Sequence, residues 1–132
     1  MNASSDIDKI RDCLAGKPGL RLAIVFGSLA TGQPRFDSDL DIAVAGDSVM
    51  TGEQKMALIR ELADQTGRSV DLVDINAIGE PMLGQILASG KRVLGSDQVH
   101  AELLSRHLFD QADFMPYRDR LLAERRKAWL QQ

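Results

Sequence analysis

The 132-residue sequence predicts an α/β fold, in which a small mixed β-sheet has helices packed on one face and is followed by a helical C-terminus. Short apolar runs of strand length alternate with longer segments whose apolar residues recur every three or four positions. Such an alternation is typical of layered α/β domains, and the length is that of one domain. We therefore expect a single domain over residues 1–132, with a core at about 20–95 and C-terminal helices at about 97–131.

The N-terminal half is predicted to contain one helix and two strands. Ser5 and Asp8 have the spacing of a helix start, and Pro18 prevents the helix from continuing. The apolar runs Leu20–Phe26 and Leu40–Ala45 have the length and composition of strands.

The second half continues the alternation. A helix is predicted over Thr51–Gln65, because its apolar residues have helical spacing and Gly67 follows as a stop. Ser69–Asp74 has the pattern of a third strand. The remaining predicted elements are a helix, a short edge strand and a helical C-terminal region, at Pro81–Ala88, Lys91–Leu94 and from Gln98 onward.

Two aspartates on one predicted strand are the most informative feature of the sequence. Asp39 and Asp41 flank Leu40 at the start of the second strand, and ten residues separate Asp39 from Gly27-Ser28. Side chains at i and i+2 of a strand share a face, so the two would stand roughly 6–7 Å apart at their roots. Carboxylates held so close repel and raise each other's pKa unless a cation lies between them. Carboxylate and phosphate oxygens suit Mg²⁺, so the pair predicts a magnesium site.

Asp71 is a third candidate ligand, because it lies among apolar residues of the third predicted strand. An acid inside a strand is costly unless it has a partner. The other interpretation, an edge-strand carboxylate that faces water, stays open. Asp74 falls on the opposite face of that strand, near its end, and is expected in solvent.

The Gly27-Ser28 turn is the candidate phosphate-binding half of the site. Gly27 lets the backbone approach a ligand, and Ser28 is placed to cap a short helix at about Leu29–Thr31. The free N–H groups of a helix start suit an anion. A nucleoside triphosphate with Mg²⁺ would use both halves of the site.

The Gly-Ser turn, the D-x-D pair and the V-D-L-V-D strand together resemble the nucleotidyltransferase superfamily typified by DNA polymerase beta. The small size is similar to that of the minimal nucleotidyltransferases of bacterial HEPN/MNT toxin–antitoxin pairs. The resemblance implies a polymerase beta-like fold, ATP as substrate, and a catalytic set of Asp39, Asp41 and Asp71 that binds two Mg²⁺ ions. The nucleotide-binding residues that it implies are Gly27, Ser28, Arg35 and Ser38.

One position departs from the family pattern. Many relatives carry a basic residue in the loop after the Gly-Ser turn, where this chain has Thr31. Arg35 is close enough along the chain to supply that charge, and an ordinary solvent-facing arginine is the equal alternative.

The resemblance also implies a role as an antitoxin. Minimal nucleotidyltransferases of this kind transfer AMP from ATP to a tyrosine of the cognate HEPN ribonuclease toxin, which would be both substrate and partner. Two alternatives stay open: transfer to a small molecule, as in aminoglycoside nucleotidyltransferases, and neutralisation of the toxin by binding without catalysis. The short region after Leu94 argues against the first, and the three acids argue against the second.

Composition limits the other classes of function. The net charge of −3 argues against a broad nucleic-acid surface, and the one cysteine, Cys13, excludes an intramolecular disulfide. No apolar run has the length of a membrane span and none resembles a signal peptide, so we expect a cytoplasmic protein without a membrane contact. The basic run Arg118–Lys127 is either a solvated helix face or a partner-binding helix.

Overall fold

A four-stranded mixed sheet organises the computed structural model, which describes residues 3–27, 30 and 39–109. The strands lie in the order β3-β2-β1-β4, where β1 pairs antiparallel with both β2 and β4, and β2 pairs parallel with β3. Their bounds are Leu20–Phe26 for β1, Leu40–Gly46 for β2, Val70–Asp74 for β3 and Lys91–Leu94 for β4. The predicted strand positions are therefore confirmed to within one residue at each end.

Four α-helices accompany the sheet in the described part of the chain. They are α1 (Ala3–Ala15), α2 (Gly52–Thr66), α3 (Met82–Ser89) and α4 (residues 97–109). Each corresponds to a helix predicted from the sequence. The rest of the expected helical C-terminus, including Arg118–Lys127, lies outside the described residues. No described helix combines the length and the apolar character needed to cross a bilayer.

The helices pack on both faces of the sheet, whereas the sequence predicted helices on one face. Apolar residues of α1 and α2 form one core against Val25, Ile42 and Val44. Residues of α3 and α4 form a second core on the opposite face, against Ile24 and Ala43. Consecutive residues of β1 and β2 are buried, as expected for strands covered on both sides. Helical periodicity shows which stripe of a helix is apolar, but not which side of a sheet it covers.

The helix α4 is fastened to the loop that follows β3. Arg106 donates hydrogen bonds to the backbone carbonyls of Ile75, at 3.0 Å, and Ile78. His107 on the same helix contacts Glu80 through its ring nitrogen. The contacted residues come directly after β3, which is parallel to β2. The helix α4 therefore lies at the end of the sheet where β2 and β3 finish, opposite the end where they begin.

Asp74 corrects a sequence-based expectation. It was expected in solvent, but it is only 6% exposed. Its carboxylate accepts hydrogen bonds from the backbone N–H of Met50 at 2.7 Å and of Asn76 at 3.0 Å. It thereby caps the 3₁₀ turn Ile75–Ala77 and holds the loop after β2. Strand alternation gave its face correctly, but could not show that a distant loop covers it.

The start of α2 provides a stability prediction. Thr51 Oγ1 accepts a hydrogen bond from the Gln54 backbone N–H at 3.1 Å, and the Gln54 side chain accepts one from the Thr51 backbone N–H at 2.9 Å. We expect Thr51→Ala to lower the free energy of unfolding by about 1 kcal/mol, measured by urea denaturation. Thr51→Ser, which keeps the hydroxyl, is the control. Nucleotidyl transfer should be unchanged in both variants, because Thr51 follows the end of β2, whereas Asp39 precedes its start. Loss of transfer in Thr51→Ala would contradict this separation of the cap from the site.

Candidate active site

The three acids predicted from the sequence meet at one end of the sheet. Asp39 immediately precedes β2, Asp41 lies in β2 and Asp71 lies in β3. The parallel register places Asp41 directly opposite Asp71. Because Leu40 and Ile42 pack beneath α1 and α2, strand alternation directs Asp41 to the other face, which α3 and α4 cover farther along the sheet.

Burial and repulsion between carboxylates both disfavour a charged Asp41 at this end of the sheet. The pKa of Asp41 is raised above its ordinary value of 3.8, first by partial burial and then by the negative charges of Asp71 and Asp39. Burial raises the pKa because it removes water that stabilises the charged form, and each neighbouring carboxylate adds to the effect. A cation at this position would relieve both costs.

Gly27 allows the turn after β1 to approach Asp41 closely. Its φ is +70°, which L-residues with a side chain rarely adopt. A Cβ atom there would lie 2.3 Å from Asp41 Oδ2, closer than any non-bonded contact allows. The Ala30 backbone N–H donates to the Gly27 carbonyl at 3.2 Å, which closes the turn. Gly27 is therefore placed beside Asp41.

Phe26 is a neighbour that the sequence analysis did not single out. It is the register partner of Asp41 in the antiparallel pair of β1 and β2. Directly opposite residues of such a pair share a face, so the ring lies on the side of the Asp41 carboxylate. Phe26 is partly buried and packs against the core beneath α3 and α4. The sequence signal that could have identified Phe26 is its place as the last residue of a strand, directly before the Gly-Ser turn.

Three of the predicted nucleotide-binding residues lie in segments that the structure does not describe. Ser28, Arg35 and Ser38 lie outside the described residues, as does Thr31 at the position that departs from the family pattern. The phosphate-binding half of the site is thus represented in the structure by Gly27 and the turn that it begins.

The acids fit a magnesium ion that brings other ligands with it. Within the described ranges, no group of three or more His, Cys, Asp or Glu side chains is arranged to hold a metal ion by itself. Mg²⁺ commonly takes only one or two protein carboxylates and completes its shell with substrate phosphates and water. The carboxylates of Asp39, Asp41 and Asp71 supply only oxygen donors, and their closeness contributes to the raised pKa of Asp41, as expected where a cation is bound. Asp39 and Asp41, with Asp71 beside them, are the residues that would hold such an ion.

Comparison with known proteins agrees with the fold and covers all three acids. Residues 4–99 match the family described as Polymerase beta, Nucleotidyltransferase. The protein adenylyltransferase MntA of Shewanella oneidensis is 31% identical over 98 residues, which are 74% of this chain and 68% of MntA.

Solved structures of toxin–antitoxin complexes have the same fold. A chain from a toxin–antitoxin structure with AMP-PNP superposes with a TM-score of 0.76 at 25% identity, over 89% of this chain and 96% of that one. A chain from the complex of tri-AMPylated Shewanella oneidensis HEPN toxin with MNT antitoxin gives 0.67 at 25% identity, over 91% and 98%. The family match covers most of the chain, and this protein therefore belongs to the polymerase beta nucleotidyltransferase family and is a nucleotidyltransferase.

Proposed function

We propose that this nucleotidyltransferase is a Mg²⁺-dependent protein adenylyltransferase, which transfers AMP from ATP to a tyrosine hydroxyl of a cognate HEPN ribonuclease toxin and so acts as its antitoxin. The observation that carries the proposal is the meeting of Asp39, Asp41 and Asp71 beside the Gly27 turn. The adenylyltransferase activity named for MntA, and the AMPylated toxin in one similar complex, support AMP as the transferred group and a HEPN protein as the acceptor.

The chemistry requires charge neutralisation and positioning more than covalent participation by the protein. Asp39, Asp41 and Asp71 would hold two Mg²⁺ ions, which supply charge neutralisation at the reacting phosphates when bound. The Gly27 backbone would approach the triphosphate, with Ser28, Ser38 and Arg35 as further proposed contacts. These residues fix the α-phosphorus relative to the attacking hydroxyl.

Asp71 is the acid that we expect to contact the acceptor hydroxyl. It is exposed, and it lies on β3, which forms an edge of the described sheet. We assign it the role of orienting the tyrosine hydroxyl and accepting its proton. The tyrosine oxygen then forms a bond to the α-phosphorus, the bond between that phosphorus and the bridging oxygen breaks, and pyrophosphate leaves. ATP and Mg²⁺ are available in the cytoplasm, which is where we place the reaction.

Intact mass spectrometry tests the proposal. The HEPN-type toxin that the proposal requires, to be sought in the neighbouring reading frame, is incubated with this chain, ATP and Mg²⁺, and its mass and ribonuclease activity are followed. We expect mass increments of one or more AMP units on a tyrosine, with parallel loss of ribonuclease activity. EDTA should abolish both effects, because the acids can hold the triphosphate only with a cation between them.

Matched variants give this experiment its controls. Asp39→Ala/Asp41→Ala should produce no increment, whereas Asp64→Asn, on the exposed side of α2, should behave as the wild type. A toxin that is silenced without any change in mass would show an antitoxin that acts by binding alone, and would overturn the catalytic assignment. Modification of a small aminoglycoside in place of the protein would support the alternative acceptor class.

A further inference from the structure

A buried ion pair links α1 to the turn that leads into β3. Arg68 donates from Nε to Asp6 Oδ2 at 3.0 Å, and its Nη2 lies 2.9 Å from the same oxygen. The side chain of Arg68 is 7% exposed and that of Asp6 is 1% exposed. The two residues are 62 positions apart in the sequence, so the contact is made only in the folded chain.

This ion pair lies at the same end of the sheet as the three acids. Arg68 precedes Asp71 by three residues, and the carbonyl of the intervening Ser69 accepts a hydrogen bond at 2.8 Å from the backbone N–H of Leu40. Leu40 is the residue between Asp39 and Asp41. The turn that Arg68 anchors is therefore bonded directly to the D-x-D segment, and its position sets where β3 begins beside β2.

The turn is also fixed from the side of α2. Gly67 ends that helix in a left-handed conformation, with its N–H bonded to the Ala63 carbonyl at 2.8 Å. Thr66 Oγ1 donates to the Leu62 carbonyl at 2.8 Å and accepts from the Arg68 N–H at 3.3 Å. The backbone on both sides of Arg68 thus has few alternatives once the guanidinium is bound to Asp6.

Stability alone gives a weak reason for such a pair. Removing two charges from water is costly, and apolar residues of similar volume often stabilise a protein equally well. Asp6 Oδ1 is buried and has no hydrogen-bond partner among the described residues, so the carboxylate is incompletely compensated. What an arginine–carboxylate contact provides is a fixed distance and direction. Asp71 needs such support, because in the described sheet β3 has β2 as its single neighbour.

We propose that the Asp6–Arg68 ion pair is a positioning element of the active site, which fixes the start of β3 so that Asp71 stands opposite Asp41. Neither residue contacts the substrate in this proposal; both act through the turn at Ser69. The catalytic consequence rests on the role proposed above for Asp71, whereas the structural consequence, a fixed turn beside Leu40, does not.

The test separates geometry from stability by replacing the pair with apolar residues. In Asp6→Leu/Arg68→Met the buried charges are gone, and we expect a Tm close to that of the wild type or higher. The kcat for AMP transfer should nevertheless fall by about 10- to 100-fold, since a displacement of about 1 Å can cost on the order of 100-fold. The KM for ATP should change less than kcat, because Asp41 and the residue before Gly27 are also held by the pairing of β1 and β2. Hydrogen exchange at the Leu40 amide should accelerate, relative to amides at the centre of β1 and β2.

The control is a more exposed ion pair at the other end of the sheet. Lys17, just before β1, contacts Glu61 of α2, and both side chains are more than a third exposed. Lys17→Met/Glu61→Gln should leave kcat and the exchange of Leu40 unchanged.

Each outcome decides the proposal. Wild-type kcat and Leu40 exchange in the apolar double variant would overturn it. If that variant does not fold, Arg68→Lys replaces it in the test. Lysine keeps the positive charge but lacks the two guanidinium N–H donors, so we expect the same fall in kcat and the same faster exchange at Leu40. If the wild type transfers no AMP at all, the proposed function fails, and the Leu40 exchange in the variants still decides whether the pair fixes the turn.

Discussion

The Asp41→Asn variant is expected to lose AMP transfer by about 100- to 1,000-fold and to unfold at a higher temperature than the wild type. The loss follows because one of the carboxylates that bring a cation to the phosphates is gone, and removal of one stabilising group at a reacting centre typically costs that much. The gain in stability follows because a neutral amide at this position would not repel the carboxylates of Asp39 and Asp71. Activity is measured by intact mass spectrometry of the acceptor, and stability by thermal denaturation.

The size of the stability change depends on pH. The folded-state pKa of Asp41 is raised above the ordinary value of 3.8, so between these two pH values the folded chain holds a proton that the unfolded chain has lost. The contribution of Asp41 to the stability of the wild type therefore falls as the pH rises through this window, and the fall is complete above the raised pKa. We expect the difference in Tm between Asp41→Asn and the wild type to be present at neutral pH and to vanish below pH 3.8.

Asp97→Asn is the matched control for this result. The pKa of Asp97 is lowered by its hydrogen bond to Arg92 and by the positive charge of that arginine. This shift is opposite in direction to that of Asp41. Its replacement should leave transfer intact and should not raise the Tm at neutral pH. An Asp41→Asn variant that is less stable than the wild type would show that the carboxylate is held by favourable contacts, and would contradict the crowding described here.

Gly27→Ala is expected to be the most damaging single-methyl change in the described part of the site. The left-handed backbone costs a residue with a Cβ about 1–3 kcal/mol, which should appear as a lower free energy of unfolding in urea. The added Cβ would also lie 2.3 Å from Asp41 Oδ2, so either the turn or the carboxylate must move. Because both belong to the site, we expect AMP transfer to fall by about 100-fold, as for a misplacement of about 1 Å.

Gly52→Ala provides the comparison for this variant. Gly52 is the first residue of α2, and a Cβ atom there would have no atom within 4 Å. Alanine is a better helix former than glycine, so this variant should be at least as stable as the wild type and fully active. Normal transfer by Gly27→Ala would indicate that the turn is not required to approach Asp41, and would remove Gly27 from the site.

The close agreement of the predicted and observed elements has a local cause. The strand runs and the helical stripes are recognisable within about ten residues, because alternation and helical spacing are properties of short segments. The same holds for the ends of α2, where Thr51 and Gly67 act through bonds to residues three or four positions away. The D-x-D pair belongs to this class too, because two residues on one strand share a face whatever the rest of the chain does.

The predictions that were wrong, and the contacts that were not predicted, involve segments that are far apart in the sequence. Asp74 was expected in solvent, but Met50 donates its backbone N–H to it from a loop 24 residues away. The helices were expected on one face and occupy two. Asp6 and Arg68 gave no signal, since each alone is an ordinary charged residue. In each case the free energy depends on which surfaces meet, and no short window of sequence contains both partners.

Short stretches of sequence were sufficient to specify the order and type of the elements, the Gly27 turn and the placement of Asp39 and Asp41 beside each other. The position of Asp71 opposite Asp41, in contrast, is a property of the folded chain, because it depends on the parallel register of β2 and β3, two strands that are separated in the sequence by the helix α2. Local backbone preferences act over a few residues and can be recognised in the sequence. Register and burial arise from pairing and desolvation across the whole fold, and they exist only once the chain has folded.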